Sequence, residues 1–211
     1  YVSLFGKASM LKPGRYAFGH VPIPSIAHDL IAGINRERII TIPEGWSLTD
    51  IGFRLEIEQQ GAASLFIAFA DNASISLEER YPFLAGRPAG STLEGYLFPD
   101  TYHIFADAQP RDLAEKMLDN FSQKLTPELS NEIARQKRNL HDIVIMASMI
   151  EKEVPDDADR RIVSGILWKR LAMDMPLQVD ATIAYIKHQG IPPQRANGKI
   201  SIEDTLLESP Y

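Results

Sequence analysis

The chain has 211 residues, 45% hydrophobic and 24% charged, with a net charge of −6 and no cysteine. Such a composition can bury a sizeable core without staples, and the lack of cysteine excludes disulfides and thiolate metal sites. No basic stripe suggests a nucleic-acid surface, and no apolar run reaches the roughly 18 residues needed to span a bilayer.

In chain order, Pro13-Gly14 suits a type II turn, followed by Tyr16-Ala17-Phe18 as a strand. Ile23 to Ala32 reads as a short helix stopped by Gly33. Arg38 to Ile42 is β-rich and ends at Pro43. Ser47 with Asp50 three residues on resembles a capping box, and Leu48, Ile51 and Leu55 form the apolar stripe of the helix it opens. Gly61 is the expected stop. Asn72, Ser74 and Ser76 then interrupt the pattern, so a boundary is expected between Asp71 and Tyr81, dividing the chain into 1–75 and 76–211.

Beyond a loop at Gly86 to Ser91 the chain reads as mostly helical. Arg111 to Phe121 carries Leu113, Met117, Leu118 and Phe121 on one side. Thr126-Pro127 opens another helix to about Lys137. His141 to Val154 follows; Pro155-Asp156-Asp157 breaks it and caps a helix reaching Leu171. Asp180 is the expected cap of a last helix, Ala181 to His188.

The run Ile143-Val144-Ile145-Met146-Ala147-Ser148-Met149-Ile150 is almost wholly apolar and ends at Glu151. A helix apolar all round belongs in a core, so a carboxylate on its last turn is expected at the wall of a cleft, partly dehydrated. Dehydration favours the neutral acid, which can then donate a proton near neutral pH. Protonating the leaving oxygen of a glycosidic bond is a common use of such a group. Glu151 shares a face with Val144, Ala147 and Ser148, whereas Lys152 and Glu153 are expected to face solvent. The bland alternative is a helix-end glutamate paired with an arginine.

Three ordered blocks surround this acid: Leu93-Glu94-Gly95-Tyr96-Leu97-Phe98-Pro99-Asp100-Thr101-Tyr102, Met146 to Glu153, and Arg170 to Tyr185; Glu208-Ser209-Pro210-Tyr211 closes the chain. In that order and spacing they resemble the MltG (YceG-like) family of endolytic murein transglycosylases. The resemblance implies an α+β fold: a small LysM-like β/α N-terminal domain that grips glycans, then a mainly helical, lysozyme-like catalytic domain. It implies Glu151 as the single general acid/base in cleaving the MurNAc–GlcNAc bond, leaving a 1,6-anhydro end. Glu94 and Tyr96 beside the Gly95 bend, Ser148 one turn before the acid, and Gln178, Asp180, Thr182 and Tyr185 are the expected substrate-binding residues. Glu94 and Asp180 have rival readings as helix caps; Tyr102 and Tyr185 can stack on sugars or fill a core, as can Tyr16, Phe18 and Trp46.

No cofactor and no metal is expected. The five histidines, His20, His28, His103, His141 and His188, show no HExxH-like spacing. The partners implied are peptidoglycan glycan strands and cell-wall synthesis machinery. The implied location is the periplasmic side of the cytoplasmic membrane, held by an N-terminal helix outside this chain. The opening at Tyr1 and the stop at Tyr211 suggest a fragment, with a C-terminal part of the catalytic domain expected to be missing. The sequence departs from the family pattern at Lys169-Arg170-Leu171, Asp174-Met175-Pro176-Leu177 and Asp180-Ala181-Thr182. Two other functions remain in view: a non-catalytic glycan-binding module, and the family's older label of aminodeoxychorismate lyase, for which no glycine-rich phosphate loop is apparent.

Overall fold

A computed structural model describes residues 6–12, 16, 18, 20–33, 37–71, 75–105 and 108–188. It is an α+β structure: nine helices and one two-stranded sheet among the described residues. The Pro13-Gly14 turn, His188's side chain and the closing Ser-Pro-Tyr string lie outside them.

Helix α1 (Ile23–Ala32) ends where Gly33 adopts the left-handed conformation, φ 66°. Strand β1 (Glu37–Ile42) pairs antiparallel with β2 (Asp100–Phe105), Ile40 opposite Tyr102 and Thr41 opposite Thr101. The period-two alternation decides which face is buried: Ile40, Ile42, Tyr102 and Ile104 point inward, whereas Ile39 and Thr101 are exposed. Of the expected strand Tyr16-Ala17-Phe18, Ala17 lies outside the described residues; the Tyr16 and Phe18 rings stack at 5.9 Å.

Between the strands lie α2 (Leu48–Glu58), α3 (Ala62–Asp71), α4 (Ile75–Arg80) and a short 3₁₀ turn, Pro82–Leu84. The capping box holds as read: Ser47 Oγ accepts from Asp50 N–H at 3.2 Å, and Asp50 Oδ2 accepts from Ser47 N–H at 2.9 Å. Leu48, Ile51 and Leu55 are buried against α3, which packs in turn on α5 (Pro110–Lys124). Leu113, Met117 and Leu118 of α5 are fully buried. One cluster of buried residues joins these pieces, with members from Ile40 to Leu118.

The Leu93–Tyr102 block is largely an anchor for this core. Leu93, Tyr96, Leu97 and Tyr102 are buried, and the Tyr102 hydroxyl donates to Phe98 O. Gly95 is required between them for two reasons. Its φ is 81°, and a Cβ there would run into Val144 of α7 (Leu140–Glu153).

A second, smaller core lies beyond α6 (Pro127–Arg135). It consists of Met146 and Met149 of α7, Leu167 of α8 (Asp157–Ala172) and Val179 before α9 (Asp180–His188). Asn139 and Asp156 cap α7 and α8 through side-chain oxygens. The expectation of a buried α7 is corrected here: only Met146 and Met149 are buried, while Ile145, Ala147 and Ser148 lie on an open face. Of these, Ala147 borders an open groove shared with α8.

Gly95→Ala is expected to destabilise the protein by about 1–3 kcal/mol, from left-handed strain and displacement of Val144. A urea-unfolding midpoint measures this, and an unchanged midpoint would contradict it.

Candidate functional site

Glu151 sits in the last turn of α7 and is 31% exposed. It does not stand among apolar walls. Arg160 of α8 donates from Nη2 to Glu151 Oε1 at 3.2 Å, so the expectation of a carboxyl isolated by dehydration gives way to a partly solvated ion pair. The arginine is held independently: its Nε donates to Val154 O at 2.9 Å, and Nη1 lies 3.5 Å from Asp157 Oδ1. Glu151 Oε2 has no partner among the described residues.

Beside this pair, α7 and α8 border a shallow, open cleft of about 460 Å³, lined by Ala147, Ile150 and Glu151 on one side and by Arg160, Arg161 and Ser164 on the other. Helical spacing explains both walls. Residues 147, 150 and 151 are related by three and four positions, as are 160, 161 and 164. Sequence reading assigned Ala147 and Glu151 to one face. It missed Arg161 and Ser164, because nothing in an amphiphilic helix marks which turn will face a neighbour.

Glu94 is the second carboxylate of the region. Leu48 N–H, at the start of α2, lies 3.1 and 3.2 Å from its two oxygens, and the Tyr185 hydroxyl of α9 donates to Oε2 at 3.1 Å. The rival reading of Glu94 as a cap thus describes its contacts, although the helix is one far away in sequence. Burial pushes its pKa up, against the opposing pull of the Leu48 and Tyr185 hydrogen bonds.

The two carboxylates are bridged by the turn between β1 and α2. Gly45, φ 73°, lies so close to α7 that a Cβ there would be 3.8 Å from Glu151 Cγ and 3.5 Å from Lys152 Nζ. Three residues later comes the amide that Glu94 binds. Glu94, Tyr185 and Glu151 therefore belong to one neighbourhood, around the α2 N-terminus and the end of α7.

The other expected residues separate from it. Tyr96 is 1% exposed; its ring stacks on Phe83 and His141, its hydroxyl lies 3.0 Å from His141 Nδ1, and burial pushes its pKa up to about 12. It lines the core rather than a cleft. Ser148 is exposed, but its hydroxyl donates back to Ile145 O at 2.8 Å and not to Glu151. Gln178 is exposed with φ 55°, and its Oε1 accepts from Arg170 at 3.3 Å. Thr182 donates to Val179 O at 2.9 Å. Asp180 begins α9 and is exposed; the neighbouring amide, Ala181 N–H, is instead capped by Glu153 Oε1 at 2.9 Å. Among the described residues no three His, Asp or Glu side chains gather as metal ligands.

The site is thus a helix-end acid paired with an arginine beside an open cleft, on a chain of α+β class. The chain belongs to the YceG-like family, whose model matches residues 1–211. It is 30% identical over 186 residues to the endolytic murein transglycosylase of Streptococcus pneumoniae (serotype 2), covering 82% of this chain and 33% of that protein. It is 29% identical over 182 residues to the endolytic murein transglycosylase of Bacillus subtilis, covering 82% of this chain and 48% of the relative. The chain thus spans a third to a half of these relatives. A crystal structure of a YceG-like protein from Listeria monocytogenes matches with a TM-score of 0.72 at 26% identity, covering 100% of this chain and 70% of that one.

The raised Glu94 pKa has a defined consequence for stability. The folded protein tolerates the neutral acid better than the anion, so this contribution is complete below the ordinary glutamate value of 4.5 and is lost as pH rises through the raised folded value. The difference in unfolding free energy between wild type and Glu94→Gln should therefore move in favour of the variant as pH rises from about 4 to about 7. Denaturant titrations across that range measure it; a pH-independent difference would contradict the assignment.

Proposed function

We propose that the chain is the glycan-cleaving part of a peptidoglycan lytic transglycosylase, with Glu151 as its single general acid/base. The observation that carries this reading is Glu151 at the mouth of the α7–α8 cleft, one oxygen fixed by Arg160 and the other free. The names of the S. pneumoniae and B. subtilis relatives support the reaction class.

In this scheme Oε2 carries the proton and gives it to the oxygen leaving C1 of the muramic acid as the C1–O bond breaks. The sugar's own C6 hydroxyl then bonds to C1, and its proton returns to Glu151. The products are a 1,6-anhydromuramyl end and a free GlcNAc hydroxyl, and no water is consumed. Because the nucleophile is intramolecular, one carboxyl is sufficient. Arg160 keeps Oε1 in place through both proton transfers, since its bond to Val154 O and contact with Asp157 hold the guanidinium whatever the state of Glu151.

An antiparallel strand pair with α2 and α3 following β1, and α4 and a 3₁₀ turn intervening before β2, supports a LysM-like module before a helical catalytic half. Its closing strand lies beyond residue 75, so the glycan-gripping part would extend to about Phe105 rather than end at the expected boundary. Family membership alone supports the remaining expectations: attachment to the outer side of the cytoplasmic membrane and contact with cell-wall synthesis enzymes.

Glu151→Gln should lower the yield of anhydro-ended glycans from purified peptidoglycan by at least about 10²-fold, the usual scale of general acid–base help. Mass spectrometry reads the ends, and sedimentation with peptidoglycan shows that binding persists. Wild-type binding without anhydro ends would favour a non-catalytic glycan-binding module instead.

A further inference from the structure

The α8 wall of the cleft carries two arginines, and Glu151 engages only one of them. Arg160 is committed to Glu151, Val154 O and Asp157. Arg161, the next residue, lines the same cleft, is exposed, and has no hydrogen bond or ion pair among the described residues. Ser164 lies three residues on and supplies a hydroxyl to the same wall. The neighbouring carboxylates of the α8 start, Asp156, Asp157 and Asp159, engage the helix N-terminus or Arg160 or face solvent, which leaves Arg161 as the guanidinium beside the acid that is open to a ligand.

We infer that Arg161, with Ser164, forms a carboxylate subsite of the cleft that recognises the acid groups carried by the muramoyl residue next to the cleaved bond. The inference rests on the transglycosylase reading and goes beyond it, naming the part of the substrate that is read. Sugar rings of the strand are neutral, so a guanidinium gains little from them beyond ordinary hydrogen bonds. A carboxylate matches the planar fork of arginine and can accept two parallel bonds. Such groups reach the strand from two sources: the lactyl ether of an unsubstituted muramic acid, and the peptide attached to it. Both share the chemistry that Arg161 selects. The facing wall offers Ala147, Ile150 and the acid Glu151 and no cation, so the guanidinium sits on one side only. A strand lying in the cleft would then be held with its acid-bearing substituent toward α8.

The test uses wild type, Arg161→Gln and Arg161→Lys on three glycan preparations: peptide-bearing, peptide-stripped with free lactyl carboxylates, and peptide-bearing with its carboxylates amidated. Both the dissociation constant and the rate of anhydro-end formation are measured. Arg161 is exposed, so its replacement leaves the fold intact. Wild type should bind a carboxylate-bearing preparation roughly tenfold tighter than the amidated one, the scale of one charge-assisted contact. Arg161→Gln should lose that preference and Arg161→Lys keep part of it. Preference for the peptide-bearing preparation over the stripped one identifies the peptide as the source, and the reverse identifies the lactyl group. An undiminished preference in Arg161→Gln, or none in wild type, overturns the subsite. Binding that follows this pattern without any cleavage by wild type would keep the subsite and reject the reaction.

Discussion

The contact on which the site depends is that between the Glu94 carboxylate and the first amide of α2. Through it the Leu93–Tyr102 block, buried in the main core, is fixed to the start of a helix far away in sequence. The same carboxylate receives the Tyr185 hydroxyl from α9, while Gly95 beside it lets the backbone approach α7. Three elements meet around one side chain. The result is that the Gly45 turn rests against Glu151 and Lys152, at the place where α7 ends. A buried acid with a raised pKa is a costly way to join helices. Its use here is explained by what it joins.

The two cores divide the labour. The large one fixes the sheet, α2, α3 and α5 and gives the Glu94 block its rigidity. The small one, with Met146, Met149, Leu167 and Val179, holds α7 against α8 and α9 and so sets the width of the cleft. Capping across elements links α9 to α7, since Glu153 of one satisfies Ala181 of the other. The acid and the arginine beside it are thus carried on two helices held together by the small core.

Local signals were the most legible part of the sequence. Gly33 ending α1, the Ser47–Asp50 box, and the apolar stripe of α5 all depend on neighbours within a turn or two. Strand β2 escaped reading because Tyr102 and Ile104 alternate with polar residues over only six positions, inside a segment dominated by a family string. The division at 75/76 was read from a polar interruption between Asp71 and Tyr81; the pairing of β2 with β1 joins residues on either side of it. Among the site residues, Glu151 was reached from its place at the end of an apolar run. That run gave the wrong surroundings, however, because composition cannot tell a buried helix from one with a single open face. The alternative of an arginine partner was recognisable from chemistry alone, and its identity, Arg160, required the tertiary fold. Tyr96 shows what a motif string leaves open: the residue beside the Gly95 bend is buried in the core, which only the tertiary fold could show.

Occupancy of the cleft is the most direct measure of the account. A crystal structure of the Glu151→Gln protein soaked with a peptidoglycan fragment should show a glycosidic oxygen within about 3 Å of the residue 151 side chain, between α7 and α8. A fragment bound elsewhere, with the Arg160 contact to residue 151 facing an empty cleft, would contradict it.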